Sequence, residues 1–308
     1  VIEIFPQLSQ NWKVILGNHQ GRMIGSLGEV EMLRMRQIYI AWQRASFTCY
    51  NSHTCADSDF ASMFEIVAFD ADDTLWHNES RYQAAKQAFV RLMSAFQPPE
   101  KAAAVFDQIE LGNLSLYGYG MKSFTLSMIE AALALCEGQL GGREIRAILD
   151  LGRQVLTAEV ELFPHVAETI AQLAAVYPLM LITKGDASEQ EQKIHRSGIG
   201  HHFRIIEIVH DKTTATYQRI LAKYNLSPQR FVMIGNSLRS DILPVVRIGG
   251  IAIYLPHELT WAHELEHDGE LVEGSYYQLD RFEQLPSFLS YLQETLPITS
   301  PSTAKHSG

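Results

Sequence analysis

The stretch Phe64 to Trp76, Phe-Glu-Ile-Val-Ala-Phe-Asp-Ala-Asp-Asp-Thr-Leu-Trp, constrains this chain more than any other. Ile66, Val67, Ala68 and Phe69 form a short apolar run that stops abruptly at Asp70, Asp72 and Asp73. A run of that length closed by turn-forming acids predicts a buried strand that delivers carboxylates to its C-terminal end. In open parallel α/β sheets the C-terminal ends of the strands form the ligand crevice, so these acids land where chemistry is done. With Ala71 between them, Asp70 and Asp72 can divide the work. One carboxylate can attack or bind a metal while the other handles a proton. An acidic strand-to-loop junction, or a calcium site, has the same sequence signature.

Downstream, apolar strands alternate with helical patterns. The segment Glu79 to Leu156 is helical in spacing: Ala85, Phe89, Leu92, Met93 and Phe96 share one face before Pro98-Pro99 breaks the run. Leu126, Ile129, Leu133 and Cys136 form a second stripe, and Ile145, Ile148, Leu149, Val155 and Leu156 a third. Leu116 to Lys122 is expected to be a helix-to-helix loop or a flexible lip. After Pro164 a helix carries Val166, Ile170 and Leu173, and strands follow at Leu179–Ile182, Ile205–Val209, Phe231–Ile234 and Ile251–Leu255. Tyr217, Ile220, Leu221 and Tyr224 mark a helix between two of them, and Phe282, Leu285, Leu289 and Leu292 a closing one. This order predicts an α/β fold, a Rossmann-like parallel sheet with right-handed crossovers and an inserted helical domain. The expected domains are a core of residues 63–78 and 158–290, an insert of 79–157, an N-terminal extension of 1–62 and a disordered tail of 295–308. A chain starting at Met63 is expected to fold and function.

Charge narrows the partners. The net charge is -10, and residues 1–62 are balanced with five Lys/Arg against five Asp/Glu, so the surplus lies in the remainder. That argues against a nucleic-acid polymer or an anionic membrane as partner. An anionic substrate then needs a local positive site. No run of 18 apolar residues exists and no basic-then-apolar segment opens the chain, so no membrane span or signal peptide is expected and a cytoplasmic location is the default. Cys49, Cys55 and Cys136 make no disulfide framework, and Cys49 and Cys55 lack the second pair that would complete a zinc clip.

Four predicted strands end in polar residues: Asp70 and Asp72, Thr183, Lys212, and Asn236 with Asp241. Parallel strands bring such ends to one edge of the sheet. Carboxylates, a hydroxyl and an ammonium are suitable parts for phosphoryl transfer, which needs an in-line nucleophile, cations and donors to the equatorial oxygens. Phe-Asp-Ala-Asp-Asp-Thr-Leu-Trp, with the other three motifs in this order, resembles the haloacid dehalogenase-like hydrolase superfamily over about residues 64–285. The insert stands where that family's C1-type cap would be. The resemblance implies a phosphatase with Asp70 as the nucleophile that forms an aspartyl-phosphate and as a magnesium ligand. It implies Asp72 as acid and base, its backbone carbonyl also on the metal. Thr183 would bind the phosphoryl oxygens, Lys212 would offset negative charge, and Asp241 would help hold Mg2+. A small phosphorylated metabolite is the implied substrate, with Lys184, Tyr117, Tyr119 and Lys122 as candidate contacts.

Gly235-Asn236 departs from the family's frequent Gly-Asp, leaving a neutral carbonyl oxygen and one charge fewer at the metal position. Three other readings compete. A true 2-haloacid dehalogenase uses the same nucleophile but usually lacks the acid two residues later, and Asp72 is present. A non-catalytic binding protein on a degenerate fold is favoured only by Asn236. A zinc protease is suggested by His263-Glu264-Leu265-Glu266-His267, whose plain reading is an acidic turn.

Overall fold

The computed structural model describes residues 63–259, 261, 264 and 274–296. The expectations for residues 1–62, including Cys49 and Cys55, for His263 and His267, and for the tail from residue 297 lie outside the described residues.

Six parallel strands form one sheet in the order β3-β2-β1-β4-β5-β6. They are β1 (Ile66–Phe69), β2 (Leu179–Lys184), β3 (Ile205–Val209), β4 (Phe231–Gly235), β5 (Ile251–Tyr254) and β6 (Tyr277–Gln278). β1 is central, pairing with β2 on one side through Val67↔Leu179 and with β4 on the other through Val67↔Val232. The order reverses direction at β1, which is the switch point where ligands bind in such sheets. The two-residue β6 was not expected. Its residues are both exposed, so it carries no apolar signal beyond its pairing with β5.

The strands read as continuous apolar runs because both faces of the sheet are covered. Val67, Phe69, Leu179, Leu181, Val232 and Ile234 face one core with α5 (Val166–Ala174) and α9 (Leu285–Thr295). Ile66, Ala68, Met180, Ile182, Phe231 and Met233 face the other, with Tyr217, Ile220 and Leu221 of α7 (Thr214–Tyr224) and Val245 of the short α8 (Leu243–Arg247). α9 runs through Thr295, the first residue of the expected tail.

Between β1 and β2 lies the helical insert, formed by α1 (Glu79–Met93), α2 (Pro99–Tyr117), α3 (Met121–Leu135) and α4 (Gly142–Thr157). Its own core gathers Phe89, Met93, Phe106, Met121, Met128 and Ile148. Two details differ from the sequence reading. α2 is a separate helix, with Pro99 at the first helical position where the missing N–H costs nothing. In α3 the buried face is Met121, Phe124, Met128, Ala131 and Leu135, whereas Leu126 and Leu133 of the expected stripe are exposed. Ile129 and Cys136 of that stripe do pack against the insert core, so the expected stripe runs along the edge of the buried face. The insert is entered and left through two paired segments, with His77 N–H donating to Glu161 O and Phe163 N–H to Leu75 O, each at 3.0 Å.

α6 (Ala187–Arg196) also escaped the sequence reading. Its buried residues are Glu189, Gln190, Lys193 and Ile194, a polar face with no apolar stripe to betray it. The local signal was capping: Asp186 accepts the N–H of Glu189 at 3.0 Å.

Candidate active site

The polar residues at the strand ends converge at one edge of the sheet. Asp70 follows β1 directly, its backbone N–H bonded to Ile234 O at 2.9 Å, so the ladder fixes where its side chain starts. Asp70 Oδ1 is ion-paired with Lys212 Nζ, and Asp70 Oδ2 accepts the Thr74 hydroxyl at 3.0 Å. Lys212 Nζ also meets Asp241 Oδ1 at 2.7 Å. Asp70, Lys212 and Asp241 are all buried, at 6%, 3% and 1% exposure. Burial opposes the charge on Lys212, but Asp241 and Asp70 outweigh it and raise its pKa above the usual lysine range. Burial pushes the Asp241 carboxyl up, and the Lys212 ammonium opposes that rise. One ammonium thus serves two buried carboxylates, and the excess is negative.

Asp241 is held in place by its own turn. The π-helical turn Leu238–Ile242 brings its Oδ2 onto the Ser237 N–H at 3.0 Å, and a Cβ at Gly235 would collide with that carboxylate. Asn236 is buried beside it, its side-chain oxygen 3.2 Å from Thr74 Oγ1.

Asp72 points to a different set of partners. Lys193 Nζ lies 2.8 and 2.7 Å from its two oxygens, Gln190 Nε2 donates at 2.8 Å and Trp76 Nε1 at 2.7 Å. Burial pushes this carboxyl up, but Lys193, Gln190 and Trp76 together hold it below the usual range. Asp73, next in the chain, has φ 60 and caps α1, accepting the N–H groups of Asn78 and Glu79 at 3.0 Å. Burial lifts its pKa to about 7.

These groups line a cavity of about 840 Å³ between sheet edge and insert, with Asp70, Asp72, Thr183, Lys184, Lys212, Asn236 and Asp241 on its core side. Tyr119 lines it from the insert. Tyr117 and Lys122 are not among the lining residues: the Tyr117 hydroxyl donates to Glu130 at 2.6 Å, and Lys122 pairs with Asp186 at 2.7 Å. Lys184 Nζ is engaged by Glu264, by Ser240 Oγ at 2.9 Å and by the face of the Tyr119 ring at 4.4 Å. Glu264 also accepts from Ser237 and Ser240 at 2.5 and 2.6 Å. Burial opposes its charge, but Lys184 and the two hydroxyls bring its pKa down to about 2. The acid of the His-Glu-x-x-His segment is therefore committed to this network.

The oxygens at the cavity floor suit a hard cation: two carboxylates short of positive charge, an amide oxygen and nearby hydroxyls. Among the described residues no three His, Cys, Asp or Glu side chains converge into a ready-made metal cluster. That is compatible with an ion that keeps several waters.

The family description of haloacid dehalogenase-like hydrolases matches residues 64–249, which span β1 through the turn before β5. The chain belongs to the haloacid dehalogenase-like hydrolases. This HAD-like hydrolase is 27% identical over 216 residues to the glyceraldehyde 3-phosphate phosphatase of Methanothermobacter thermautotrophicus, covering 67% of this chain and 91% of that protein. It is 38% identical to a haloacid dehalogenase-like hydrolase from Xanthomonas campestris of known crystal structure, with a TM-score of 0.68, covering 78% of this chain and 95% of the other. The 2-haloacid dehalogenase of Pseudomonas syringae shares the fold at 18% identity and a TM-score of 0.53, covering 74% of this chain and 98% of that one. Among the described residues no helix is long and apolar enough to cross a membrane.

Proposed function

We propose that this HAD-like hydrolase is a magnesium-dependent phosphatase that cleaves a small phosphomonoester through an aspartyl-phosphate on Asp70. The observation that carries this reading is the pairing of Asp70 with Lys212 while a second carboxylate, Asp72, lines the same cavity two residues on. A halide leaves without a proton, whereas an alkoxide needs one, so Asp72 has a task only in phosphate ester cleavage. The phosphatase named among its relatives supports a small phosphorylated substrate.

In the first step an oxygen of Asp70 attacks phosphorus. The Asp70 O–P bond forms, the P–O bond to the substrate breaks, and the departing oxygen takes a proton from Asp72, which its donors hold as a carboxylate in this structure and which must first take up that proton from solvent. In the second step water attacks phosphorus, Asp72 takes its proton, and the Asp70 O–P bond breaks to release inorganic phosphate. Lys212 offsets the repulsion between a carboxylate nucleophile and an anionic phosphate, which otherwise makes such attack slow. Thr183, 1% exposed and lining the cavity, offers a hydroxyl to the phosphoryl oxygens. Asp70, Asp241, Asn236 and the Asp72 backbone carbonyl are the residues that would hold Mg2+, which when bound supplies positive charge for the phosphoryl oxygens. The helical insert acts as a cap over the cavity.

The test is phosphate release from a panel of sugar phosphates, triose phosphates, nucleotides and flavin mononucleotide with magnesium, beside chloride release from 2-chloropropionate. Wild type is expected to release phosphate only, and Asp70→Asn none. Wild-type phosphatase activity in Asp70→Asn sinks the proposal, and chloride release without phosphate release turns it into a dehalogenase.

A further inference from the structure

Four donor contacts meet on the one carboxylate of Asp72, and two of them come from the single side chain of Lys193. Lys193 lies on α6, outside every strand-end motif, with its side chain 11% exposed. Burying an ammonium costs several kcal/mol unless it is paired with good geometry, so its position is not incidental. Its third contact is the Asn78 side-chain oxygen at 3.1 Å, and its fourth is Glu189 at 3.7 Å. Asn78 precedes α1, the first helix of the insert. Glu189 accepts the Met121 N–H at 2.8 Å and the Tyr82 hydroxyl at 3.2 Å, both from the insert. The ammonium is therefore fixed from the insert side and fixes Asp72 on the other.

We infer that Lys193 is a positioning residue: it fixes the acid–base carboxylate of Asp72 at the cavity wall and ties that position to the seating of the insert. An aspartate side chain has two free torsions, and an acid–base group works only within hydrogen-bond reach of the oxygen it serves. Contact of one ammonium with both carboxylate oxygens removes that freedom, while Gln190 and Trp76 each hold one oxygen. Lys193 touches no reacting atom and acts through Asp72. This inference rests on the phosphatase reading.

The experiment uses p-nitrophenyl phosphate with magnesium and compares wild type, Lys193→Met, Lys193→Arg, Asp72→Asn and the double variant Asp72→Asn/Lys193→Met. p-Nitrophenolate leaves without a proton, so the first step survives a misplaced Asp72 while water activation in the second does not. Lys193→Met is expected to lose at least tenfold in kcat with KM within threefold. It is also expected to show a burst of about one p-nitrophenolate per enzyme. Lys193→Arg, which can still contact both oxygens, is expected within threefold of wild type. In the Asp72→Asn background the second change is expected to cost less than twofold, since nothing is left to position.

A Lys193→Met enzyme within threefold of wild-type kcat overturns the inference, as does a tenfold further loss in the Asp72→Asn background. If Lys193→Met does not fold, the comparison of Asp72→Asn with the double variant, in which the Lys193–Asp72 pair is already absent and, of the carboxylate contacts, only the longer one with Glu189 is lost, decides alone. A wild type with no turnover on any phosphate ester overturns the phosphatase reading and this inference together.

Discussion

The Thr74 hydroxyl stands 3.2 Å from the side-chain oxygen of Asn236 and 3.0 Å from Asp70 Oδ2. It therefore sits between the proposed nucleophile and the one residue at which this chain departs from the family's common pattern. Asn236→Asp would put a further anion into a floor that already holds more carboxylate than ammonium. Without magnesium the variant is expected to melt about 2–4 °C lower, the shift that ~1 kcal/mol gives in a domain of this size. With magnesium the order should reverse, and half-maximal activity should need about tenfold less metal, worth ~1.4 kcal/mol. Thermal melts with and without the ion, beside a magnesium titration of activity, check both halves.

Lys212→Met should cost far more than activity. Removing the cation from two buried carboxylates typically costs about 3–5 kcal/mol, because the partners are left uncompensated. Urea unfolding should show that loss, and adding Asp241→Asn should return a large part of it without returning turnover. Stability of Lys212→Met equal to wild type would mean the pair does not form in solution.

Glu79 lines the cavity at the start of α1, and burial, with Asp73 close by, lifts its pKa to about 8. A raised carboxyl binds more protons folded than unfolded. Its contribution is therefore harmless near pH 4 and becomes destabilising as pH rises from about 4.5 toward 8. Glu79→Gln is expected to raise the melting temperature at pH 8.5 and leave it unchanged at pH 4. A melting profile across that range tests the sign directly.

Glu264 works in the opposite direction. With its pKa brought down to about 2, it contributes stability that is fully present above about 4.5 and is lost as pH falls toward 2. The shift corresponds to an upper bound of about 3 kcal/mol. Glu264→Gln should be less stable than wild type at pH 6, with the gap closing by pH 2 to 3. A gap that stays constant with pH would show that Glu264 is not ionised in its network.

The sequence disclosed the parts that burial writes in apolar letters. β1 and β3 run as expected from their hydrophobic runs, and the polar residues at the ends of β1, β2 and β4 meet in one cavity. It disclosed much less where a buried face is polar. α6 shows Glu189, Gln190 and Lys193 to the interior, and nothing in their hydrophobicity says so; only the Asp186 cap and the charge pattern could have marked it. For that reason the contacts that hold Asp72 were invisible, although Asp72 itself was plain. α3 was harder to read because apolar residues lie on both of its faces, with Leu126 and Leu133 outside and Met121, Phe124, Met128 and Leu135 inside. Tyr119, between Tyr117 and Lys122 in the short link from α2 to α3, is the one of the three that reaches the cavity wall.

Gly235 closes β4 against the carboxylate of Asp241, with no room for even a methyl group. Alanine there would push that acid off Lys212, and the disturbance would reach Asp70 through the shared ammonium. Anyone recasting this scaffold for new substrates must therefore leave residue 235 untouched.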